Sequence, residues 1–417
     1  MNDSSKIIRD PIHGDVKVSG LLLKLLQTPE VQRLHHIKQL GFAQLVFPGA
    51  HHTRFEHSLG AAAIMNRFCD VLSLDDDRDT LTAAALLHDI GHGPFSHTLE
   101  SILMEQFGVD HVGLTLKLLK GDYEVFEPNE RRYLASSSVH KVLAKTDLDV
   151  NLIGKIIHGK TPKTPYLGQL LCSTIDVDQM DYLLRDAYYT GVAYGMVDLQ
   201  RLLQTITILR KRILVKRKGV NVVESILMAR GLMYSSVYFH KTVRIAELML
   251  LKAMHQTPDS EPFAFYRMTD AEIINTLRGK GAYQEEIMTR LKYRALFKQA
   301  FAASFSDLSR PQRDVIRSLE DPEACKAKEW ELEEALKIPA GHLILDVPRQ
   351  ELLRTEPRIN LTDIGVEDNK RRRSLDEFTP IASAIRSRLA PDWMVMVATD
   401  ERHRAAVAKR VARYLFA

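Results

Sequence analysis

Residues 80–97 read TLTAAALLHDIGHGPFSH. The apolar run up to Leu87 predicts a helix that stops at the adjacent pair His88 and Asp89. Gly91 and Gly93 break it, and Pro94 suits the first position of the next helix. Neighbours on one helix face different ways. A cation can use both His88 and Asp89 only if it lies beside the helix and further ligands arrive from elsewhere. His57 in RFEHS and Asp178 in DVDQMD are the candidates. Two imidazoles and two carboxylates form a mixed nitrogen and oxygen set. Such a set suits iron, manganese, zinc, nickel or magnesium and leaves positions for water and phosphate oxygens.

An isolated His-Asp dipeptide is usually chance, so the neighbours decide. Ten of the sixteen histidines lie at or before His111, which points to a site assembled mainly from the first quarter of the chain. His92 and His97 follow the pair directly and His111 follows in DHVGL. Imidazoles near a metal and an anionic ester steady phosphate charge or protonate a leaving oxygen; the bland reading is helix capping. Asp178, Tyr182 and Asp186 lie at i, i+4 and i+8, one stripe of a helix. Arg230, Tyr234 and Tyr238 repeat the spacing with Lys241 close by, offering cations for phosphates and rings for a sugar or base. Ordinary amphipathic packing yields the same stripe.

Beyond these residues the pattern is mainly helical. LLLKLLQ, VQRLHHIKQLG, FEHSLGAAAIMNRFCDVL, IDVDQMDYLLRDAYY and the long run from Val222 to Met254 all carry apolar residues at helical spacing. TITILRKRILVKRKG reads as a short β-hairpin. The fold expected is mainly α: a helical core over residues 1–260 with that hairpin, then a smaller α+β region over 261–417. In the second part MTRLKYRALFKQAF is expected to be helical, LILDVP and WMVMVATD to be strands, and Glu401–Phe416 to be an amphipathic helix. KRRRS at 370–374 is placed in a polar loop.

Three other features attract a function and lose it. GKIIHGKT, from Gly154 to Thr161, fits a phosphate-loop pattern, but the preceding NLI is too short for a buried strand and Pro162 and Pro165 obstruct a following helix. The acidic cluster Asp75, Asp76, Asp77 and Asp79 lacks calcium-loop spacing. Asp147 and Asp149 read as helix-start residues. Net charge of +4 falls short of a nucleic-acid binder's footprint. Three scattered cysteines fit a reducing cytosol. The N-terminus lacks an apolar core behind its basic residues, and no apolar run nears the ~18 residues of a membrane span. A soluble cytoplasmic protein with no membrane partner is expected.

The blocks DPIHGD, QRLHHIKQLG, VFPGAHHTRFEHSLG, HDIGHGPFSH, DVDQMDYLLRD and YFHK, in this order, closely resemble the HD-domain deoxynucleoside triphosphate triphosphohydrolases. These include the animal enzymes that add a sterile-alpha-motif domain. The resemblance is strong over residues 7 to 260 and weak beyond. It implies that His57, His88, Asp89 and Asp178 hold a divalent transition metal (manganese, iron, zinc or nickel), with magnesium as a further ion. His92, His97 and His111 with Glu100 would flank the scissile phosphate. Arg54, Tyr182, Tyr238 and Lys241 would lie near triphosphate and sugar, Asp186 would read the 3′-hydroxyl, and Gln39 and Leu40 would lie near sugar and base. A homo-oligomer, dimer or tetramer, is implied.

Gln179 stands where the animal enzymes carry a lysine, and Tyr234 where they carry a histidine. Gln27 and His35 replace the acid and arginine that sense guanine, so guanine-nucleotide control is not carried over. The competing readings are an HD phosphohydrolase acting on another nucleotide or single-stranded nucleic acid, and a nucleotide-sensing regulator.

Overall fold

The computed structural model describes residues 5–257, 264–304, 306–347, 364–381, 384 and 394–417, without the side chains of His97, Gln106 and Phe107. It divides into two compact units. The first takes in the described residues of Met1–Met233, Pro262–Ile273 and Leu361–Ser387, and the second those of Tyr234–Glu261, Ile274–Asn360 and Arg388–Ala417. Contacts thus group the chain with two returns to the first unit, where the sequence reading drew one cut near residue 260. The architecture is mainly helical, as expected. Among the described residues no helix is long and apolar enough to cross a membrane.

The first unit is organised around helix α1, Arg54–Leu72, which is buried along most of its length. A capping box fixes its start: Glu56 accepts from the Thr53 amide at 2.5 Å, which leaves Arg54 and His57 in the first turn. Helix α2, Arg78–Leu87, packs along α1 and ends at His88. Helix α3, Ser96–Phe107, begins two residues after Pro94. The delay has a cause: Phe95 takes a left-handed φ of 46° and its amide donates to Asp270 Oδ1 at 2.9 Å. Helix α4, His111–Lys120, is capped by Asp110. Helix α5, Val177–Thr190, is capped by Asp176 and lies against α1, and helix α6 spans Val220–Met233.

An N-terminal hairpin, Ser5–Asp10 with Gly14–Ser19, precedes these helices. The expected hairpin is present as Ile206–Leu209 with Arg212–Lys216, its two turn residues Arg210 and Lys211 both at positive φ, 49° and 61°. KRRRS is not a loop. Arg371–Ser374 pairs with Gly365–Asp368, which runs parallel to Arg212–Lys216 and completes a four-stranded sheet. Alternating pairing with a half-buried partner strand suits charged residues on one edge. The phosphate-loop decoy is structural: Gly159 has φ of 69° against Cys172, and Thr161 Oγ1 accepts the Gly168 amide at 3.0 Å. Asp149 caps the helix Val150–Ile157, as its reading required.

The second unit is α+β. Val395–Thr399 is the central strand, antiparallel to Lys298–Ala303 and Leu343–Asp346. Helix α7, Lys241–His255, opens the unit's helical part; α8, Pro322–Leu336, and α9, Glu401–Leu415, place Leu332, Leu336, Val407, Val411 and Leu415 in a common apolar core with Val395 and Val397. The stretch expected to be helical through MTRLKYRALFKQAF breaks after Lys292 and continues as the strand from Lys298. Pairing with Val395–Thr399, which lies far away in sequence, holds it as a strand, with a register shift between Gln299 and Phe301.

Candidate metal centre and active site

Four of the sequence's candidate ligands converge in the first unit. His57 sits one turn into α1, His88 and Asp89 follow the end of α2, and Asp178 lies in the first turn of α5. Ligand atoms of His57, His88 and Asp178 all lie within 4.8 Å of one another. His57 Nε2 is 3.2 Å from Asp178 Oδ1. Asp89 joins them with Oδ1 3.2 Å from His88 Nε2 and Oδ2 3.9 Å from His57 Nε2.

The outer nitrogens decide what the inner ones can do. His88 Nδ1 lies 2.8 Å from the Ala85 carbonyl, an acceptor, and His57 Nδ1 lies 2.8 Å from Asp181 Oδ2, another acceptor. Each Nδ1 therefore donates, which leaves Nε2 of each ring as the nitrogen that faces the carboxylates. His88 Nε2 is buried with no hydrogen-bond partner among the described residues. Lone pairs aimed at carboxylate oxygens repel unless a cation or proton lies between them. The donor set therefore fits a divalent metal, and the carboxylate behind His57 is the usual outer support of such a ligand. Burial works against charge on His57, yet Asp178, Asp181 and Asp89 override it and lift the ring to about 10. A proton takes the cation's place there.

Arg54 neutralises the site from one side. Its guanidinium is 2% exposed, donating through Nη1 to Asp89 Oδ2 at 2.5 Å and through Nε to Ser96 Oγ at 2.6 Å. Burial would raise the Asp89 carboxyl, but His88, Arg54 and His92 hold it well below the usual carboxylate range. His92 Nε2 lies 3.4 Å from Asp89 Oδ1, and its ring stacks on His111 at 4.0 Å. Burial, Arg54 and His111 all push His92 down and keep it neutral. Burial also lowers His111, but the Glu100 carboxylate bonded to its Nδ1 wins and raises it. The stacked pair is thus pushed in opposite directions, His92 toward the neutral form and His111 toward the protonated one. His97 lies on α3, and its side chain is outside the described residues.

Gly91 makes this crowding possible. A Cβ there would stand 2.2 Å from the His111 carbonyl, and its amide donates to Thr115 Oγ1 at 3.0 Å.

Along α5, Tyr182 stands one turn beyond Asp178, its ring 6.5 Å from that of His57. Asp186 meets His52 Nε2 at 2.7 Å. Gln39 and Leu40 lie in the segment after Ile37; the Gln39 amide donates to the His52 carbonyl at 3.0 Å, and its buried Oε1 has no partner among the described residues. Arg230, 1% exposed, donates to Gln179 Oε1 at 3.2 Å, while Gln179 Nε2 donates to the Ser173 carbonyl at 2.6 Å. Gln179 therefore acts on Arg230.

The stripe expected through Arg230, Tyr234 and Tyr238 does not continue as one helix. α6 ends at Met233, Tyr234–Tyr238 forms a π turn, and Lys241 opens α7. The Phe239 amide reaches back five residues to the Tyr234 carbonyl at 2.9 Å, so the angular spacing of an α-helix is lost. Tyr234, Tyr238 and Lys241 belong to the second unit, where the two tyrosine rings meet edge to face at 4.9 Å.

The sequence reading missed a buried set behind the ligands: Asp181, Arg185, Asp10 and His13. Asp181 lies one helical turn after Asp178 and accepts from His57, His13 and Arg185. Its signal was present in DVDQMD, where a second acid follows at three residues, and in DPIHGD.

Residues 54–186 match the model of the HD domain, and residues 197–416 match that of the HD associated region. An uncharacterised protein of Methanocaldococcus jannaschii is 34% identical over 405 residues, covering 94% of this chain and 78% of that one. The deoxynucleoside triphosphate triphosphohydrolase SAMHD1 of Gallus gallus is 28% identical over 353 residues, 71% of this chain but only 56% of that protein. The crystal structure of a phosphohydrolase from Bacteroides thetaiotaomicron superposes with a TM-score of 0.70 at 25% identity, covering 95% of this chain and all of that one. With its histidine and aspartate cluster at the heart of the matched region, the chain belongs to the HD-domain family that carries the HD associated region and includes the deoxynucleoside triphosphate triphosphohydrolases.

Proposed function

We propose that this protein is a metal-dependent hydrolase that converts deoxynucleoside triphosphates to deoxynucleoside and inorganic triphosphate. The observation that carries the metal reading is the convergence of two Nε2 atoms, on His57 and His88, with the carboxylates of Asp178 and Asp89. The substrate rests on the resemblance to the triphosphohydrolases.

A divalent cation held there supplies Lewis acidity, lowering the pKa of water and offsetting phosphate charge. In the reaction a water oxygen adds to the α-phosphorus, the bond to the 5′-oxygen breaks, and that oxygen takes a proton. His97 is our proposed donor, with His111 as support: Glu100 favours the protonated form of His111, and His92, pushed toward the neutral form, stacks on it. Arg54, fixed by Asp89 and Ser96, contributes positive charge without a change of position. Tyr182, Asp186, Gln39, Leu40 and Arg230 are the proposed sugar and phosphate contacts of the first unit; for Tyr234, Tyr238 and Lys241 the same role rests on the resemblance alone. We infer a homo-oligomer in the cytoplasm.

The test is incubation with each of the four deoxynucleoside triphosphates and ATP in manganese, magnesium or chelator, with products resolved by ion-pair chromatography. Deoxynucleoside plus intact triphosphate is the expected result. Release of monophosphate and pyrophosphate, or turnover that persists in chelator, would sink the proposal.

A further inference from the structure

The turn that closes the N-terminal hairpin is wired into the back of the candidate metal site. Asp10, at the end of Ser5–Asp10, uses Oδ1 to accept the amides of Ile12 at 2.9 Å and His13 at 2.7 Å. Its other oxygen accepts from Arg185 Nη1 at 2.8 Å. Arg185 in turn grips both oxygens of Asp181, Nε to Oδ2 and Nη2 to Oδ1, each at 2.9 Å. His13 Nε2 reaches Asp181 Oδ1 at 2.6 Å, and His57 Nδ1 reaches Oδ2 at 2.8 Å. One carboxylate therefore carries two imidazoles and a guanidinium, and the loop from Asp10 to His13 closes on itself through Arg185.

Every member is withdrawn from solvent. The Asp181 and Arg185 side chains are 0% exposed and that of His13 is 6% exposed. Backbone packing enforces the closeness as well: a Cβ at Gly60 on α1 would stand 1.9 Å from Asp181 Oδ1 and 2.5 Å from Arg185 Nη2. A purely structural ion pair between Asp181 and Arg185 would need neither imidazole. The two rings make sense together if Asp181 is shared between fixing His57 and anchoring the turn.

We propose that His13 is a positioning residue for metal binding: by bonding Asp181 Oδ1 from the N-terminal turn, it holds the carboxylate that fixes the tautomer and orientation of His57. This rests on the reading of His57 as a metal ligand. His13 occupies one of the two Asp181 oxygens, shared with Arg185, and leaves Oδ2 turned to His57. With His13 removed, Asp181 has one partner fewer to fix its plane, and His57 loses the alignment of Nε2 rather than the nitrogen itself. Outer-shell partners of this kind alter metal affinity by about 10- to 100-fold. His13 acts through Asp181, so the lower end, about 10-fold, is expected.

The experiment is titration calorimetry of Mn²⁺ on the purified full chain, alongside urea unfolding of the same samples in chelator. Four proteins are compared: wild type, His13→Ala, His13→Gln and His57→Ala. The expected result is a Kd for Mn²⁺ raised about 10-fold in His13→Ala and largely restored in His13→Gln, whose amide can still donate to Asp181. His57→Ala should abolish binding. An unchanged Kd in His13→Ala with binding lost in His57→Ala overturns the inference and leaves the ligand assignment standing. Unchanged binding in His57→Ala overturns the ligand assignment itself. Equal weakening by His13→Ala and His13→Gln would show that the space filled by the ring matters and the hydrogen bond does not, which also overturns the proposal.

Discussion

At His57 the two ring nitrogens face carboxylates of different duty, Asp181 behind and Asp178 in front, and the same division recurs at His88 with a backbone carbonyl behind. Replacing His88 or Asp178 with alanine should abolish turnover and Mn²⁺ binding while leaving a folded protein by circular dichroism; turnover retained by either variant counts against the site. Arg54 is a different case. Arg54→Ala strands Asp89 as a buried charge, a loss of about 3 kcal/mol or more in urea unfolding. The proton on His111 depends on Glu100, so Glu100→Gln lowers the pKa of the ring. An acid that must hold its proton loses activity as pH rises, so the alkaline limb of kcat should move to lower pH; an unmoved limb would leave His97 as sole donor.

Glu30, which is not among the candidate ligands, gives a second linkage. Burial, offset only in part by backbone amides including that of Val139, pushes its carboxyl up to about 7. The folded state then holds a proton that the unfolded chain releases at about 4.3, so stability falls as pH climbs between those values and levels off above 7. Glu30→Gln should therefore exceed wild type by about 3 kcal/mol at pH 8, with the gap closing toward pH 4.5, measured by urea titration at both values. At this scale the convergence of the four candidate ligands was legible because residue type and adjacency announce them. Asp181 was not, since a carboxylate that serves a histidine looks in sequence like any acid on a helix.

Elements were legible where local chemistry sets them. The helical periods of FEHSLGAAAIMNRFCDVL and IDVDQMDYLLRDAYY act within a turn or two and appear as Arg54–Leu72 and Val177–Thr190. The π turn at Tyr234–Tyr238 and the pairing of Arg371–Ser374 were not legible, because a widened turn and a strand edge depend on partners distant in sequence. The close approach of α1 to α5 belongs to the same class. Gly60→Ala forces the two helices apart at Asp181, and a loss of about 1 to 3 kcal/mol is expected in urea unfolding. Since replacing Gly by Ala inside a helix otherwise favours the helix by about 1 kcal/mol, a loss at Gly60→Ala is attributable to crowding, and a gain in stability would remove the argument.

For the molecule as a whole, all four candidate ligands fall in the first unit. Mn²⁺ at 100 times its Kd should stabilise that unit by about 2.7 kcal/mol. Calorimetric melting should show the gain in the transition that contains the hairpin Ser5–Ser19 and not in that of the second unit. The α+β character of the C-terminal region was legible from strand and helix periods, but the two returns of the chain to the first unit were not, because no period in sequence marks which body a segment will join.

Those returns set a timetable for synthesis. His57, His88, Asp89 and Asp178 leave the ribosome early, yet Asp270, which holds the Phe95 amide after the His88 and Asp89 pair, comes later, and Gly365–Ser374 comes later still. At about 5 to 20 residues per second the interval from the last ligand to the last strand is on the order of 10 to 40 seconds. During it a nascent chain presents the ligands on an unfinished scaffold. Chains arrested near residue 260 should lose this region to protease quickly, and chains carried past Ser387 should keep it, so the scaffold around the candidate ligands closes only near the end of translation.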